Sequence, residues 1–426
     1  MPKIKFVHTA DLHLDTPFKG LTQHNATLAE RLKNATLKSF DNIVDLCINE
    51  KVDFILIAGD IFNSDQQSLS AQISFIKNLN RLHENNISSY FVCGNHDPLE
   101  SWLPSLKLPE TSVRFGGKNV EKYYYKKDGQ VLADIYGISY FSKETKENLA
   151  KKYEVIGEKA AFSIAVLHGT TGNSGSHIPY APFSPEDIKS KAFDYWALGH
   201  IHKHEIINDA HPAIVYPGNP QGRDFGETGQ RGCYIVEIES GAKPDLNFVP
   251  LQSIRFEEVD ISIDNVEYID EFNKIIENSL EKITEDINVD YILRITLSGR
   301  TGLHKQLSKQ SEINNILQEL NETYNNKTPF VFIDSLIINT SPNIDISLLE
   351  KGKDFTSELY REFQNLKKDK DLTDEYINQI FDELPTQVRK ELSDKQEDEI
   401  FQDSEKEQLT EKAKWILLDQ IISDKE

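Results

Sequence analysis

The sequence predicts an α/β fold built on a mixed sheet, or a sandwich of two sheets, flanked by helices. Three observations predict it. Short apolar runs of strand length alternate with amphipathic helical patterns through residues 1–250. The later runs of that stretch follow one another at hairpin spacing, which argues against a purely parallel sheet. Five of the runs stop abruptly at Asp, Asn or His.

In chain order, the strand-like runs are "IKFVHTA" (4–10), "VDFILIAG" (52–59), "SSYFVCG" (88–94), "ADIYGISY" (133–140), "FSIAVLH" (162–168), "DYWALGH" (194–200), "AIVYPG" (213–218) and "GCYIVEI" (232–238). Between the early ones, residues 28–50 place Leu32, Ala35, Phe40, Ile43, Val44 and Cys47 at helical spacing. Residues 68–86 do the same with Ile73, Ile76, Leu79 and Leu82. From 251 to 342 a smaller α/β capping module is expected, with helices over 265–283 and 309–324 and strands over 289–299 and 329–340. Residues 343–426 are helix-prone and polar. Their acidic run, 393–408, reads as a solvated helix face or a tail. The final stretch carries Trp415, Ile416, Leu417, Leu418, Ile421 and Ile422, an apolar patch that either folds back on its own domain or docks a partner.

With 426 residues, two or three domains are expected, and 38% hydrophobic residues suffice for their cores. A net charge of −22 is a poor match to a protein that coats nucleic acid through a basic face. Such a chain can still act on phosphodiesters where cations supply local positive charge. Cys47, Cys93 and Cys233 are odd in number and widely spaced, giving neither a disulfide framework nor a zinc pattern. A reducing, cytoplasmic location is the expectation. No signal-peptide core and no apolar run of membrane-spanning length is present, so no membrane association is expected.

The residues that end the runs share one chemistry. Asp11 and His13 follow the run 4–10, Asp60 follows 52–59, and Asn95, His96 and Asp97 follow 88–94. His168 closes 162–168, and His200 and His202 close 194–200. Strand ends of one direction share a rim in α/β sheets, where ligands bind. In extended chain, positions i and i+2 point the same way, so Asp11 and His13 can grip one ion if that segment stays extended. His200 and His202 can reach adjacent ions. Oxygen and imidazole donors without thiolate suit Mn²⁺, Fe²⁺ or Zn²⁺ better than a structural zinc. Asp11, His13, Asp60, Asn95, His168, His200 and His202 are more ligands than one tetrahedral ion uses. Two ions bridged by one carboxylate fit them. His204 falls outside this set as a solvated loop residue. His8 is expected to face the sheet interior or support the site.

The motifs "DLHLD", "AGDIF", "GNHDP", "LHG" and "LGHIH" resemble those of the calcineurin-like metallophosphoesterases. Within these they are most similar to the SbcD-type DNA repair nucleases of the YhaO-like branch. The resemblance covers residues 1–250 strongly and the rest loosely. It implies a four-layer β-sandwich flanked by helices and a dinuclear, usually Mn²⁺, site. By motif position Asp11, His13, Asp60 and His202 would hold one ion, and Asp60, Asn95, His168 and His200 the other. His96 would contact the phosphate and protonate the leaving oxygen, with Asp97 placed to orient His96 or a neighbour.

Two departures from the family pattern matter. Where some members carry a histidine after the GD motif, this chain has Asn63, which can bind a phosphate but cannot shuttle a proton. The arginine that follows this motif in protein phosphatases is absent, which argues against phosphoprotein substrates. The loop "YPGNPQGRDFGE" (216–227) presents Arg223, either to substrate phosphate or in a surface salt bridge. The resemblance further implies DNA as substrate, an SbcC-like (YhaN-like) ATPase partner bound by the C-terminal helices, and a homodimer. The expected activity is metal-dependent DNA exonuclease, or also endonuclease. The alternatives are a small-molecule phosphodiesterase or phosphatase on the same site, and a non-catalytic scaffold working through its C-terminal patch.

Overall fold

Twelve strands of the N-terminal stretch form two six-stranded sheets. The computed structural model describes residues 2–18, 26–63, 68–102, 107–171, 180–344, 346–385, 389 and 403–423. In chain order the strands are β1 (Lys3–Thr9), β2 (Phe54–Ala58), β3 (Ser88–Val92), β4 (Ser112–Arg114), β5 (Glu121–Lys127), β6 (Gln130–Gly137), β7 (Phe162–His168), β8 (Tyr195–Gly199), β9 (Glu205–Asn208), β10 (Ala213–Tyr216), β11 (Gly232–Glu239) and β12 (Asp245–Pro250). One sheet has the order β12-β11-β1-β2-β3-β4, the other β5-β6-β7-β8-β10-β9. The centre of each sheet is parallel, through β1-β2-β3-β4 and β6-β7-β8-β10. The antiparallel pairs lie towards the edges.

Strand alternation explains the layers. Ile4 and Phe6 of β1, Phe54 and Leu56 of β2, and Ile164 and Val166 of β7 turn into a core between the sheets with Tyr195, Ala197 and Val236. Val7, Ile55, Ile57 and Phe91 turn outward. They are covered by helices α1 (Ala26–Asn49) and α2 (Leu69–Glu84) through Phe40, Ile43, Val44, Phe75, Leu79 and Leu82. The outer face of the second sheet buries Tyr136, Leu167 and Trp196 against Tyr153, Phe193 and Ile188 of the short helix α3 (Pro185–Lys189). Helix, sheet, sheet and helix make the sandwich expected from the resemblance.

Sequence patterning does not reveal β4, β5, β9 or β12. All four lie towards or at sheet edges, and their side chains are largely polar and accessible, as in "EKYYYKK" of β5. An edge strand buries too little to show a period.

By contacts the chain divides into two compact units. One comprises Met1–Glu258, Asp286–Leu293 and Thr323–Asp334; the other comprises Val259–Glu285, Arg294–Glu322 and Ser335–Glu426. Strands β13 (Ile254–Ser262), β14 (Asp290–Thr301) and β15 (Val331–Pro342) form a third sheet in the order β13-β14-β15. Each has residues in both units. The second unit includes α4 (Ile269–Ile283), α5 (His304–Leu307), α6 (Gln310–Tyr324, up to Glu322), α7 (Ile346–Lys351), α8 (Phe355–Leu366), α9 (Lys370–Glu383) and α10 (Asp403–Ser423).

Part of the apolar C-terminal patch folds back on its own unit, the first of its two expected uses. Trp415 and Leu418 are buried against Leu349 and Tyr360 of their own unit, and Arg300 lies over the Trp415 ring. Ile416 and Leu417 stay exposed. Of the acidic run, residues 393–402 lie outside the described residues, and 403–408 begin α10. Among the described residues, no helix is long and apolar enough to cross a membrane.

Candidate metal centre

The strand ends of the two sheets meet in a rim stitched by backbone. Past β1 the Asp11 amide donates to the Gly59 carbonyl (3.0 Å), His13 to Asp60 (3.1 Å) and Leu14 to Ile61 (3.0 Å). The pairing of β1 with β2 is thus continued by loops. Asp11, His13, Asp60 and His200 all have positive φ, at 52°, 44°, 50° and 102°. Non-glycine residues enter this region at a cost of about 1 kcal/mol or more each, and such strain clusters at functional sites. The segment 11–13 is therefore not extended. Strand alternation is not what brings Asp11 and His13 together; the left-handed turns and the stitching to residues 59–61 do that.

Two glycines make the close approach possible. A Cβ on Gly94 would lie 2.2 Å from Asp60 Oδ1, and one on Gly59, itself at φ +94°, would lie 2.4 Å from His168 Nδ1. Glycine is the residue that leaves these carboxylate and imidazole groups room.

The rim gathers two clusters of ligand atoms, Asp11 with His13 and His202, and Asp60 with His168 and His200. Within each cluster the atoms lie within 4.8 Å of one another. Asn95 joins the second: its Oδ1 is 3.1 Å from His168 Nε2 and 3.1 Å from His200 Nδ1. Asp60 Oδ1 accepts from the His96 amide (2.9 Å), which leaves Oδ2 to face the clusters. That oxygen is 3.4 Å from His168 Nε2 in one cluster and 4.0 Å from His13 Nε2 in the other. A bridging carboxylate needs this position.

The residues fit a pair of divalent cations. Asp11, His13, Asp60, Asn95 and His168 are all buried, and every donor is nitrogen or oxygen. His13 and His202 point Nε2 at Nε2 across 3.3 Å, where one hydrogen at most can sit between them. A cation held by His13 and His202 would satisfy both lone pairs. On His168 and His202 the opposite ring nitrogen is engaged, as ligation requires, while His13 Nδ1 is buried without a hydrogen-bond partner. His168 Nδ1 donates to the Ala58 carbonyl (2.8 Å), and His202 Nδ1 donates to Glu227 Oε1 (2.7 Å), which makes Nε2 of each ring the nitrogen that would face a cation.

The electrostatics are those of buried opposite charges. Burial opposes ionisation of Asp60, but His168 and the other imidazoles outweigh it and hold the carboxyl well below its usual range. Burial likewise opposes charge on His168, and Asp60 and Asp11 overcome it, pushing the ring up to about 9. Asp11 is raised by burial and by the neighbouring Asp60 charge. His13 is held well below the usual imidazole value, by burial and then by Arg223.

Around the ligands, the other expected residues are placed as follows. The His96 ring lies 5.0 Å from the His13 ring, and its Nδ1 donates to the Asn63 carbonyl (2.9 Å). Asp97 does not meet the His96 ring. Its Oδ2 accepts from the Ile61 amide (3.1 Å) and its Oδ1 from the Gly94 amide (2.8 Å), so it ties the two ligand loops together. Arg223 is half-buried and forms its salt bridge with Glu227 beside His202, while its Nη1 donates to Asn63 Oδ1 (3.3 Å). His8 is fully buried between the sheets. His204 is accessible but stacked on Phe248 at 4.2 Å, outside the clusters.

Sequence reasoning misses Glu227 and Asp15. The Asp15 carboxylate accepts from the amides of Asn63 (2.6 Å) and Ser68 (3.2 Å). The only signal for Glu227 was its place four residues after Arg223, in a loop where spacing carries no orientation.

Comparison with known proteins agrees with this geometry. Residues 4–204 match the calcineurin-like phosphoesterase family, and residues 256–341 match the middle domain of the YhaO metallophosphoesterases. The chain is 34% identical over 330 residues to the "uncharacterized metallophosphoesterase YhaO" of Bacillus subtilis (strain 168), an alignment covering 77% of this chain and 80% of that one. It is 26% identical over 322 residues to the DNA double-strand break repair protein Mre11 of Sulfolobus acidocaldarius, covering 71% and 77%. With Mre11 of Methanocaldococcus jannaschii it shares 29% over 288 residues, covering 63% and 72%. With its two ligand clusters on the sandwich rim and these relatives, the chain belongs to the calcineurin-like metallophosphoesterases, in their YhaO-like branch of SbcD/Mre11 type.

Proposed function

We propose that this metallophosphoesterase is a Mn²⁺-dependent DNA nuclease, an exonuclease or also an endonuclease, acting in DNA repair or processing in the cytoplasm. The observation that carries the reading is the single carboxylate oxygen, Asp60 Oδ2, facing both ligand clusters. Asp11, His13, Asp60 and His202 would hold one cation and Asp60, Asn95, His168 and His200 the other. Bound there, the two cations supply Lewis acidity toward phosphate oxygens and lower the pKa of coordinated water.

The chain's own residues do the rest. The Asn63 carbonyl fixes His96 through Nδ1, so Nε2 is the nitrogen that carries a proton to the leaving sugar oxygen. Asn63 cannot take over that transfer, so His96 carries it alone. Asp97 holds the loops of Asp60 and Asn95 in register through the Ile61 and Gly94 amides.

DNA as substrate is supported by the Mre11 relatives, named for double-strand break repair. A charge of −22 means the DNA grip must come largely from a partner. An SbcC-like, YhaN-like ATPase is that partner in this reading, within a homodimer. Helices α8, α9 and α10 enclose an apolar groove of about 660 Å³, lined by Phe363, Leu366, Tyr376, Ile380, Leu409 and Leu417, which suits an amphipathic helix of the ATPase.

The test is cleavage of single- and double-stranded DNA with Mn²⁺ or Mg²⁺, with and without the neighbouring ATPase, beside a chromogenic phosphodiester. Mn²⁺-dependent DNA cleavage, enhanced by the ATPase, is expected. The acidic charge favours a second reading, a small-molecule phosphodiesterase on the same cations. Hydrolysis of the small ester alone, with DNA untouched even beside the ATPase, selects it.

A further inference from the structure

We infer that Glu227 is a positioning residue that sets two histidines at once, the ligand His202 directly and the proton donor His96 through Arg223 and Asn63. The inference rests on the dinuclear reading of the rim and extends it to a residue outside the strand-end motifs.

The geometry forms one continuous chain of contacts. Glu227 Oε1 accepts from His202 Nδ1 (2.7 Å). The same carboxylate accepts from Arg223 three times, from Nη2 (2.7 Å), Nε (3.2 Å) and the backbone amide (2.9 Å). Asn219 Nδ2 adds a further donor at 2.7 Å. Arg223 Nη1 then donates to Asn63 Oδ1 (3.3 Å), and the Asn63 carbonyl accepts from His96 Nδ1 (2.9 Å). The Asn63 amide is pinned from the other side by Asp15 (2.6 Å), so the residue cannot turn without breaking one of these bonds.

Chemistry dictates the direction of each bond. Arg223 Nη2 lies 2.9 Å from His202 Nδ1, but a guanidinium only donates. Were Arg223 to donate to Nδ1, the His202 proton would move to Nε2, where a cation must bind. The carboxylate of Glu227 resolves this competition. It accepts from both Nδ1–H and the guanidinium, so Nε2 keeps its lone pair. A neutral or absent side chain at 227 leaves Arg223 as the neighbour of Nδ1 and inverts the tautomer. The same loss frees the guanidinium to swing away from Asn63 Oδ1, loosening the residue whose backbone carbonyl fixes the His96 ring. In this chain the position that holds a histidine in some family members is Asn63, and the residue joins the Arg223–Glu227 pair, through its side-chain oxygen, to His96, through its backbone carbonyl.

The experiment uses the full-length protein and Glu227→Gln, which keeps the shape of the side chain, with Arg223→Lys as the second variant. The first readout is calorimetric Mn²⁺ binding. The parent should take two equivalents. Glu227→Gln should weaken one of them by about 10–100-fold and leave the other within twofold, the usual effect of losing a hydrogen-bond partner behind a metal-bound histidine. Arg223→Lys, which keeps the charge but not the fork, should leave both ions within threefold while shifting the pH–rate profile of phosphodiester hydrolysis. The second readout needs no metal and no substrate: ¹⁵N-histidine NMR of the metal-free proteins. His202 should be the Nδ1–H tautomer in the parent and should shift towards Nε2–H in Glu227→Gln. Unchanged Mn²⁺ affinities in Glu227→Gln, or an unchanged His202 tautomer, overturn the inference. A parent that binds two ions but leaves DNA intact overturns the nuclease reading and not this one. A parent that binds none overturns the dinuclear reading, and the NMR comparison still decides the role of Glu227.

Discussion

The metal rim and the C-terminal helices break the usual rule of burial in opposite directions. At the rim, polar groups are hidden: Asp11, His13, Asp60 and His168 are each at most 1% exposed. On α9 and α10, apolar groups are displayed, with Tyr376 51%, Ile380 62% and Leu417 41% exposed. Buried polar atoms are costly unless partnered, and a contiguous apolar surface marks something that covers it. The rim also spends backbone strain to hold its groups, whereas Asp354 and Asp369 cap α8 and α9 as ordinary helix starts. The side chains of Asp11, Asp60 and His168 are fixed by main-chain hydrogen bonds, while the helices fix only a surface. Chemistry should therefore fail abruptly when a rim residue changes, and association should fail gradually when a groove residue changes.

The largest effect should come from Asp60→Ala. It should lose both ions and lower phosphodiester turnover about 10⁴-fold, the several kcal/mol of Lewis-acid catalysis. His96→Ala separates holding from turnover. It should keep two Mn²⁺ equivalents by metal analysis while the rate falls about 10²–10⁴-fold, the range for a lost general acid. Parent-like turnover in His96→Ala would move the proton donor elsewhere. The groove gives the contrasting case. Tyr376→Asp with Ile380→Asp should weaken ATPase binding by about 10–100-fold, as loss of one or two apolar anchors does. Metal content and hydrolysis of a small phosphodiester should stay at parent levels. A matching loss of metal would erase the distinction between the regions. Next comes Gly94→Ala, whose new methyl would press on Asp60. It should cost about 1–3 kcal/mol in denaturant unfolding and also reduce metal occupancy.

How much of this was legible in the sequence follows from what each residue does. The candidate ligands that the rim gathers were legible because each ends an apolar run, and glycine stands before Asp60, Asn95 and His200, marking where backbone or side chains crowd together. The inner strands were legible because both of their faces are buried, as all five residues of β2 are. The edge strands were not, since their exposed faces leave no period. The left-handed turns at Asp11 and His13 were invisible because tertiary hydrogen bonds to residues 59–61 impose them. For Asp97 the sequence left open whether it meets His96 or a neighbour. Its adjacency to His96 in the chain suggests a pair, but the turn aims its carboxylate at two amides. Glu227 was illegible because loop spacing says nothing of which way a side chain faces. The C-terminal patch showed its apolar character and not that Trp415 and Leu418 turn inward while Ile416 and Leu417 stay exposed.

The smallest effect sharpens the meaning of a hidden polar group that has no cation to bind. His8 is fully buried, with Nδ1 2.9 Å from the Tyr195 hydroxyl and Nε2 3.1 Å from the Leu198 carbonyl. A carbonyl only accepts, so Nε2 carries the hydrogen and Nδ1 accepts from the hydroxyl, which makes the ring neutral. Burial lowers its pKa to about 3, against the weaker opposing pull of the Leu198 carbonyl. The unfolded chain titrates near 6.5. Between these values the unfolded state binds a proton that the folded state refuses, so stability falls as pH drops below about 6.5 and is unaffected above it. His8→Gln can keep both hydrogen bonds and does not titrate. The stability advantage of the parent over His8→Gln should therefore shrink by about 1.4 kcal/mol between pH 7.5 and 5.5, measured by urea unfolding at the two values. An advantage that is constant across that interval would mean His8 accepts its proton in the folded protein, and that the space between the sheets is wetter than the rim above it.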